Sequence, residues 1–351
     1  MQTSIQYQAL ALFSGGLDSI LATKVIQQQG ISVLGIHFVS PFFGEPQSVE
    51  HWQKIYTIPI VAYDIGKEYV EMLRARPEHG FGKVLNPCID CKVLMFTKAK
   101  QLMADYGAQF LISGTVVGQR PMSQRRDAIN IVDRDADIRQ IVLSPLSALR
   151  LKPTPMEENG LVDRSKLLGL WGRGRKAQLQ MAKDLGMTEI PTPAGGCRLA
   201  DKEAAARYFP LFQYHADPQA EDFELSNIGR QYWKKRSWLS IGRDQHDNNL
   251  LETFHKDSDY CFRLASFPGP IGLGRPLPDV PWSEIRIEEA ASLVASFSPK
   301  AKKSLRSVDV IVGHNGTKKA ISVLPDRGQE NGWFPPEWAQ TEEWKKAWVR
   351  K

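Results

Sequence analysis

Leu10-Ala11-Leu12-Phe13-Ser14-Gly15-Gly16-Leu17-Asp18-Ser19 is an apolar run that ends in a small, glycine-paired loop and passes at once into a helical pattern. Strand, tight loop and helix in that order are the layout of a phosphate cradle. Gly15 and Gly16 lack a Cβ, so the backbone can turn sharply and bring its N–H groups against an anion, while Ser14 and Ser19 add hydroxyl donors. A helix that starts behind them points its positive end at the same place. Leu17, Ile20, Leu21 and Val25 recur at helical spacing, and the pattern runs to Gln29, where Gly30 closes it. Asp18 is the discordant residue. A carboxylate inside a phosphate loop repels its ligand unless a cation lies between them, which makes Asp18 a candidate Mg2+ contact.

The loop is not of the Walker type, because no lysine follows the glycines. It resembles instead the SGGxDS pyrophosphate loop of the ATP-pyrophosphatase (PP-loop) enzymes. That resemblance implies cleavage of ATP to AMP and pyrophosphate while a substrate oxygen is adenylated, with Ser14, Gly15, Gly16, Leu17, Asp18 and Ser19 at the nucleotide and Mg2+.

Outward from the loop, apolar runs at 31–39, 58–64 and 110–114 alternate with helical patterns, the last after a helix with Met95, Ala99, Leu102, Met103 and Tyr106 on its inner face. This alternation predicts an α/β fold with a parallel sheet and ligands at the carboxyl ends of its strands. His37 and Gly114 stand near two such ends and are candidates for the ATP site; His37 equally suits a hydrogen-bonded core histidine. The basic loop at 114–126 carries Arg120, Arg125 and Arg126 to the same rim, where they suit phosphate contact or plain solvation. It looks like the T-G-x-x-x-G-Q…S-Q segment of the tRNA 4-thiouridine synthetases, with Ser113-Gly114 in place of Thr-Gly. Val142-Leu143-Ser144-Pro145-Leu146 resembles the final strand and Pro-Leu turn of the same family.

The chain has 351 residues, which suggests two domains, and 42% of them are hydrophobic, ample for cores. Lys+Arg 45 against Asp+Glu 39 gives a net charge of +6, a mild excess that permits a polyanionic partner without requiring one. No stretch approaches the ~18 apolar residues of a membrane span and no signal-like segment opens the chain, so a cytoplasmic protein is expected. Four cysteines are too few for a secreted disulfide scaffold.

Residues 163–185 read as a helix broken around Gly172 and Gly174, with Arg164, Lys166, Arg173, Arg175 and Lys176 as either an RNA-backbone surface or a solvated face. The acidic stretch at 217–222 reads as the linker. We therefore expect a PP-loop domain at 1–218, with a helical extension over about 151–210, and a smaller α+β domain at 222–330. In the latter, a strand pair near its start, a helix over 283–295 and a strand over 308–312 are expected. The segment at 228–243 interleaves aromatic and basic residues, among them Lys234, Lys235 and Arg236, which suits RNA binding by stacking and phosphate neutralisation. This domain looks similar to one found behind some stand-alone PP-loop thiolases and related to RNA-binding modules of ribosome-associated factors. The tail at 331–351 alternates Trp with Lys and Arg and suits docking on the body or on RNA.

Asn86-Pro87-Cys88-Ile89-Asp90-Cys91-Lys92 sets two thiols one helical turn apart at a helix start, where the dipole is expected to lower their pKa. A zinc nucleoside deaminase shares P-C-x-x-C but needs an upstream H-x-E; His37 is followed by Phe38-Val39 and His79 by Gly80-Phe81. A zinc site with a further ligand, an iron–sulfur site and a thiol relay remain. Asn-Pro-x-x-x-Cys is the setting of the first cysteine in the tRNA 2-thiouridylases, and Cys197 lies in a glycine-containing loop like their second. Cys88 stands where many of those enzymes carry Asp, which resembles the three-cysteine pattern of cluster-dependent tRNA thiolases. The resemblance implies Cys88, Cys91 and Cys197 as ligands of a [4Fe-4S] cluster, with Cys91, Cys197 and Asp18 catalytic; zinc, or no metal and a persulfide relay, are the alternatives. Cys261 reads as core. Neither the RNA-capturing domain of the 4-thiouridine synthetases nor a rhodanese-like carrier is recognisable.

The expectation is thus an ATP-dependent tRNA sulfurtransferase, with tRNA and a sulfur donor (sulfide or a persulfide carrier) as partners, no membrane, and a homodimer compatible with the chain. A PP-loop ligase or amidating synthetase, or an RNA-binding protein that holds nucleotide without turnover, are the rival readings.

Overall fold

The computed structural model describes residues 6–191, 196–278, 280–327 and 332–349. The chain divides into two compact units, Met1–Ala200 and Asp201–Lys351.

In the first unit the elements are β1 (Ala9–Leu12), α1 (Leu17–Gln27), β2 (Val33–Val39), α2 (Val49–Tyr56), β3 (Ile60–Asp64), α3 (Gly66–Arg74), α4 (Cys88–Tyr106), β4 (Phe110–Ile112), α5 (Arg126–Asp135), β5 (Val142–Leu143), α6 (Pro155–Glu158) and α7 (Lys176–Asp184). The strands form one sheet in the order β3-β2-β1-β4-β5, parallel throughout. Its middle strands are buried along their length, which is why they read as unbroken apolar runs. Two buried clusters accompany the sheet, one built on Ala9, Ala11, Leu17, Leu21, Phe110 and Leu143, the other on Phe13, Ile20, Tyr56, Ile58 and Ile60. Chain order reverses between β1 and β4, so the loops leaving those two strands open side by side at their carboxyl ends, the place where such sheets take ligands.

The helix expected over 163–185, with a break around Gly172 and Gly174, is realised only after that break. Residues Arg164–Lys166 form a single 3-10 turn, and α7 starts at Lys176. Between them the Gly172 N–H donates to the Val117 carbonyl at 2.8 Å and Trp171 pairs with Val117 as a β-bridge, so tertiary partners take the backbone groups a helix would have used.

The second unit comprises α8 (Lys202–Tyr214), α9 (Ala220–Ser226), β6 (Arg230–Lys234), β7 (Ser237–Ile241), α10 (Gln245–Phe254), β8 (Tyr260–Leu264), β9 (Gly272–Pro276), α11 (Glu284–Ala295), α12 (Pro299–Lys303), β10 (Val308–His314), β11 (Thr317–Val323) and α13 (Trp338–Val349). Its antiparallel sheet runs β11-β10-β8-β9-β7-β6. Val308, Val310 and Val312 alternate inward from β10 and join Ala290, Ala291 and Val294 of α11 in the core. Here the sequence reading is corrected in extent: six strands form where a strand pair and one further strand were expected.

The division falls after residue 200, not in the acidic stretch at 217–222. Asp222 is buried: its carboxylate accepts from the Gln219 N–H at 2.9 Å, capping α9, and pairs with Arg275 at 3.3 Å. In α8, Tyr208 and Phe212 meet the Phe223 ring at tilted angles, and Phe212 stacks on Trp344 of α13, so both α8 and the tail are packed within the second unit.

Candidate active site

The phosphate loop is a closed backbone ring. Gly15 adopts φ +74, and a Cβ there would stand 2.5 Å from the Trp52 indole, so conformation and space both demand glycine. The Ser19 hydroxyl donates to the Gly16 carbonyl at 2.7 Å and its N–H bonds the same oxygen at 3.0 Å. Ser19 is buried, so its hydroxyl locks the loop and is not free to serve as an anion donor; Ser14 remains exposed. Gly114, leaving β4, approaches so closely that a Cβ would lie 2.9 Å from the Ser19 Cα. The two loops at the switch point are thus in van der Waals contact.

Two of the residues expected at the nucleotide have other duties. Leu17 is 1% exposed and its side chain belongs to the core, which leaves only its backbone for a ligand. His37 is buried with both ring nitrogens engaged: Nδ1 donates to the Phe13 carbonyl at 2.9 Å and Nε2 accepts from the Glu45 N–H at 2.9 Å. Burial holds its pKa below the usual value, so it is a neutral tie between β1, β2 and the following loop.

Asp18 fits the role the sequence assigned it. Its Oδ2 accepts from Gln119 Nε2 at 2.7 Å, whereas Oδ1 is buried without any partner. A buried, unsatisfied carboxylate oxygen in a phosphate loop is the donor a hard cation such as Mg2+ takes. Gln119 is itself held by Gln178 of α7, whose Nε2 donates to its Oε1 at 3.2 Å. Gln119 lies in the quoted loop motif, but Gln178, almost wholly buried, had no signal in the sequence beyond its place on a helix.

The cysteines gather at the start of α4. Cys88 is its first residue, and its sulfur accepts from Asn86 Nδ2 at 3.0 Å. The Leu85 N–H donates to the Leu199 carbonyl at 3.0 Å and the Arg198 N–H to the Phe42 carbonyl at 2.8 Å, which bring the Cys197 segment to the same place. Residues 192–195 of the loop before it lie outside the described residues. The three thiols feel one another electrostatically, and the buried Tyr69 hydroxyl, which has no hydrogen bond of ordinary geometry, interacts with Cys91. For Cys91 the expected thiolate shift is reversed. Burial pushes Cys91 up to about 12 and Cys197 up to about 11, and the neighbouring thiols add to it; desolvation outweighs the helix dipole.

Three half-buried soft donors have the chemistry of an iron–sulfur site. Among the described residues, no three His, Cys, Asp or Glu side chains close around the position of one metal ion. Cys261 lies in β8 of the second unit, with its thiol raised by burial.

Lys92, the residue after Cys91, escaped the sequence reading. Its Nζ donates to Thr115 Oγ1 at 3.1 Å and to the Ser123 carbonyl at 3.2 Å, which pins the basic loop to α4, and burial brings its pKa down to about 8. A cavity of about 20 Å3, room for a water molecule, lies among Lys92, Thr115, Ser123, Asp133 and Ser144.

Of the expected RNA-binding residues, Arg120, Arg125 and Arg173 are exposed, Arg125 beside Asp127 at 3.0 Å, and Arg175 is half-buried with an Nε that has no partner. The strip in the second unit is corrected. Trp233 and Trp238 stack on each other inside the core, with centroids 5.3 Å apart, so they offer no stacking surface, and Lys234 is paired with Glu289 at 2.6 Å. Lys235 and Arg236, at the tip of the β6–β7 hairpin, remain exposed.

A parallel sheet with an SGGLDS loop at its switch point gives the first unit the layout of the PP-loop nucleotide-binding domains. Residues 4–152 match the family described as thiamine biosynthesis protein (ThiI). The chain is 26% identical over 173 residues to a probable tRNA sulfurtransferase of Thermococcus kodakarensis, covering 47% of this chain and 41% of that protein. It is 22% identical over 280 residues to a tRNA-specific 2-thiouridylase MnmA of Listeria monocytogenes, covering 72% and 73%. The chain thus spans under half the length of the first of these relatives. A predicted subunit of tRNA methyltransferase from Methanocaldococcus jannaschii is similar in structure at a TM-score of 0.32 and 16% identity, over 50% of this chain and 75% of that one.

Proposed function

We propose that the chain is an ATP-dependent tRNA sulfurtransferase that adenylates a uridine carbonyl and replaces its oxygen with sulfur. The observation that carries this reading is the meeting of Cys197 with Cys88 and Cys91 in the unit that also holds the Asp18 loop. In the proposed reaction the carbonyl oxygen attacks the α-phosphorus of ATP and pyrophosphate leaves. Sulfur then adds to the activated carbon, and AMP departs with the original oxygen. The N–H groups around Gly15 and Gly16 orient the phosphates. Asp18 Oδ1 would hold Mg2+, which supplies charge neutralisation to the leaving pyrophosphate. Cys88, Cys91 and Cys197 would hold a [4Fe-4S] cluster, which supplies an iron able to bind sulfide. Arg120, Arg125, Arg173 and Arg175 are the proposed phosphate contacts, and the cytoplasm, where thiols stay reduced, is the proposed setting.

A second reading is supported by Cys197 being the neighbouring thiol that most raises Cys91. Here one of the two carries a persulfide whose outer sulfur attacks the activated carbon. The other thiol then takes the inner sulfur as a disulfide, which an added thiol reductant reopens.

The test combines the purified protein with ATP, unmodified tRNA and sulfide. AMP and pyrophosphate should form only with tRNA, and a thiolated nucleoside should be found by mass spectrometry. Formation of ADP, or AMP release indifferent to tRNA, contradicts the proposal.

A further inference from the structure

Trp171 is 70% exposed, more than any other aromatic among the large apolar side chains in solvent. Folding has left one of the largest apolar surfaces of the chain uncovered, yet the backbone beneath it is held firmly. Trp171 pairs with Val117 as a parallel bridge, and the next residue, Gly172, donates to the Val117 carbonyl at 2.8 Å. Beyond Val117, Gly118 presents a bare Cα to the ring: a Cβ there would stand 3.3 Å from the indole nitrogen.

The segment is tied a second time. Gln178 donates to Gln119 at 3.2 Å, and Gln119 donates to Asp18 at 2.7 Å. The backbone that carries the ring is therefore held in a defined relation to the phosphate loop by a chain of hydrogen bonds, all within one unit. The two segments joined by this bridge also carry Arg120, Arg173 and Lys176, whose cationic side chains are exposed.

A rigid, solvated aromatic face with cations beside it is the arrangement that binds unpaired nucleobases, stacking the base while the cations meet the backbone. A uridine must leave its own stack before its carbonyl can reach ATP, and the ring would replace the stacking it gives up. We propose that Trp171 is the stacking platform for the tRNA nucleobase presented to the adenylating loop, an inference that rests on the tRNA sulfurtransferase reading above.

The full-length protein and its Trp171→Ala, Trp171→Leu and Trp171→Phe variants are titrated with an unmodified tRNA transcript over a salt series. In parallel they are titrated with Mg2+ and α,β-methylene ATP. The alanine and leucine variants should bind tRNA about tenfold more weakly and the phenylalanine variant within about threefold of wild type. All should bind the nucleotide as wild type does, which establishes that they are folded. The dependence of log affinity on log salt should be unchanged, because the ring neutralises no phosphate, whereas Arg173→Ala should lower that slope by about 1. Wild-type affinity for tRNA in the alanine or leucine variant overturns the inference alone. A wild-type protein that binds the nucleotide but not tRNA overturns the functional reading and the inference with it.

Discussion

Asp18 is the proposed Mg2+ contact of the phosphate loop. One oxygen is occupied by Gln119 and the other is buried with nothing to bond. Asp18→Asn should therefore keep the fold, since the amide oxygen can still accept from Gln119, while AMP and pyrophosphate formation falls by about 100-fold or more. Circular dichroism and a product assay check the two halves of this expectation. Asp133 offers a different test. Burial raises it from 3.8 to about 6, so between those values the native state holds a proton that the unfolded chain has released. Its contribution to stability is present at low pH and is lost as pH rises through that window. Asp133→Asn removes the cost of the buried charge, so its melting temperature should exceed that of wild type at pH 8 and the gain should vanish near pH 4.

Elements show how far local pattern extends. The β6–β7 hairpin alternates basic and aromatic residues, which suits either a binding strip or a strand with one face buried. Trp233 and Trp238 settle it as the second, because their rings fill the core. Lys234 is spent on Glu289, so the hairpin can offer RNA only Lys235 and Arg236. If the hairpin binds tRNA, replacing those two with alanine should lower the salt slope by about 2, whereas Lys234→Ala should change the slope little and instead lower the melting temperature. Filter binding across a salt series, beside a thermal melt, measures both; an unchanged slope returns the tip to ordinary solvated charge. In α7 the pattern misled by length: helical spacing extends back to residue 163, but the backbone around Gly172 is bound to Val117 and the helix begins only at Lys176.

At the scale of the whole molecule the open question is what the three thiols hold. In a cluster all three are ligands, so the protein should be brown when purified without oxygen, and air should remove colour and activity together. Cys88→Ala, Cys91→Ala and Cys197→Ala should each be colourless and inactive, with iron and sulfide analysis as the check. Cys261→Ala, in a strand of the second unit, should keep both colour and activity. An active, iron-free Cys88→Ala protein would instead establish the relay between Cys91 and Cys197.

The phosphate loop, the parallel order of its sheet and the placing of Cys88 and Cys91 at a helix start were all legible in the sequence, because each follows from residues near one another in the chain. Glycine at a positive φ, apolar runs without alternation and a proline before a helix are local constraints, and local constraints leave local marks. The grouping of Cys197 with the other two thiols was implied by family resemblance and not by local pattern; only the tertiary structure decided that Gln178 steadies Asp18 through Gln119 and that His37 is sealed between two backbone groups. It also decided that Cys91 and Cys197 are pushed up and not down, since the helix dipole is written in the chain but the loss of water is not. Burial and long-range hydrogen bonding depend on which distant segments arrive, and no short stretch of sequence records its future neighbours.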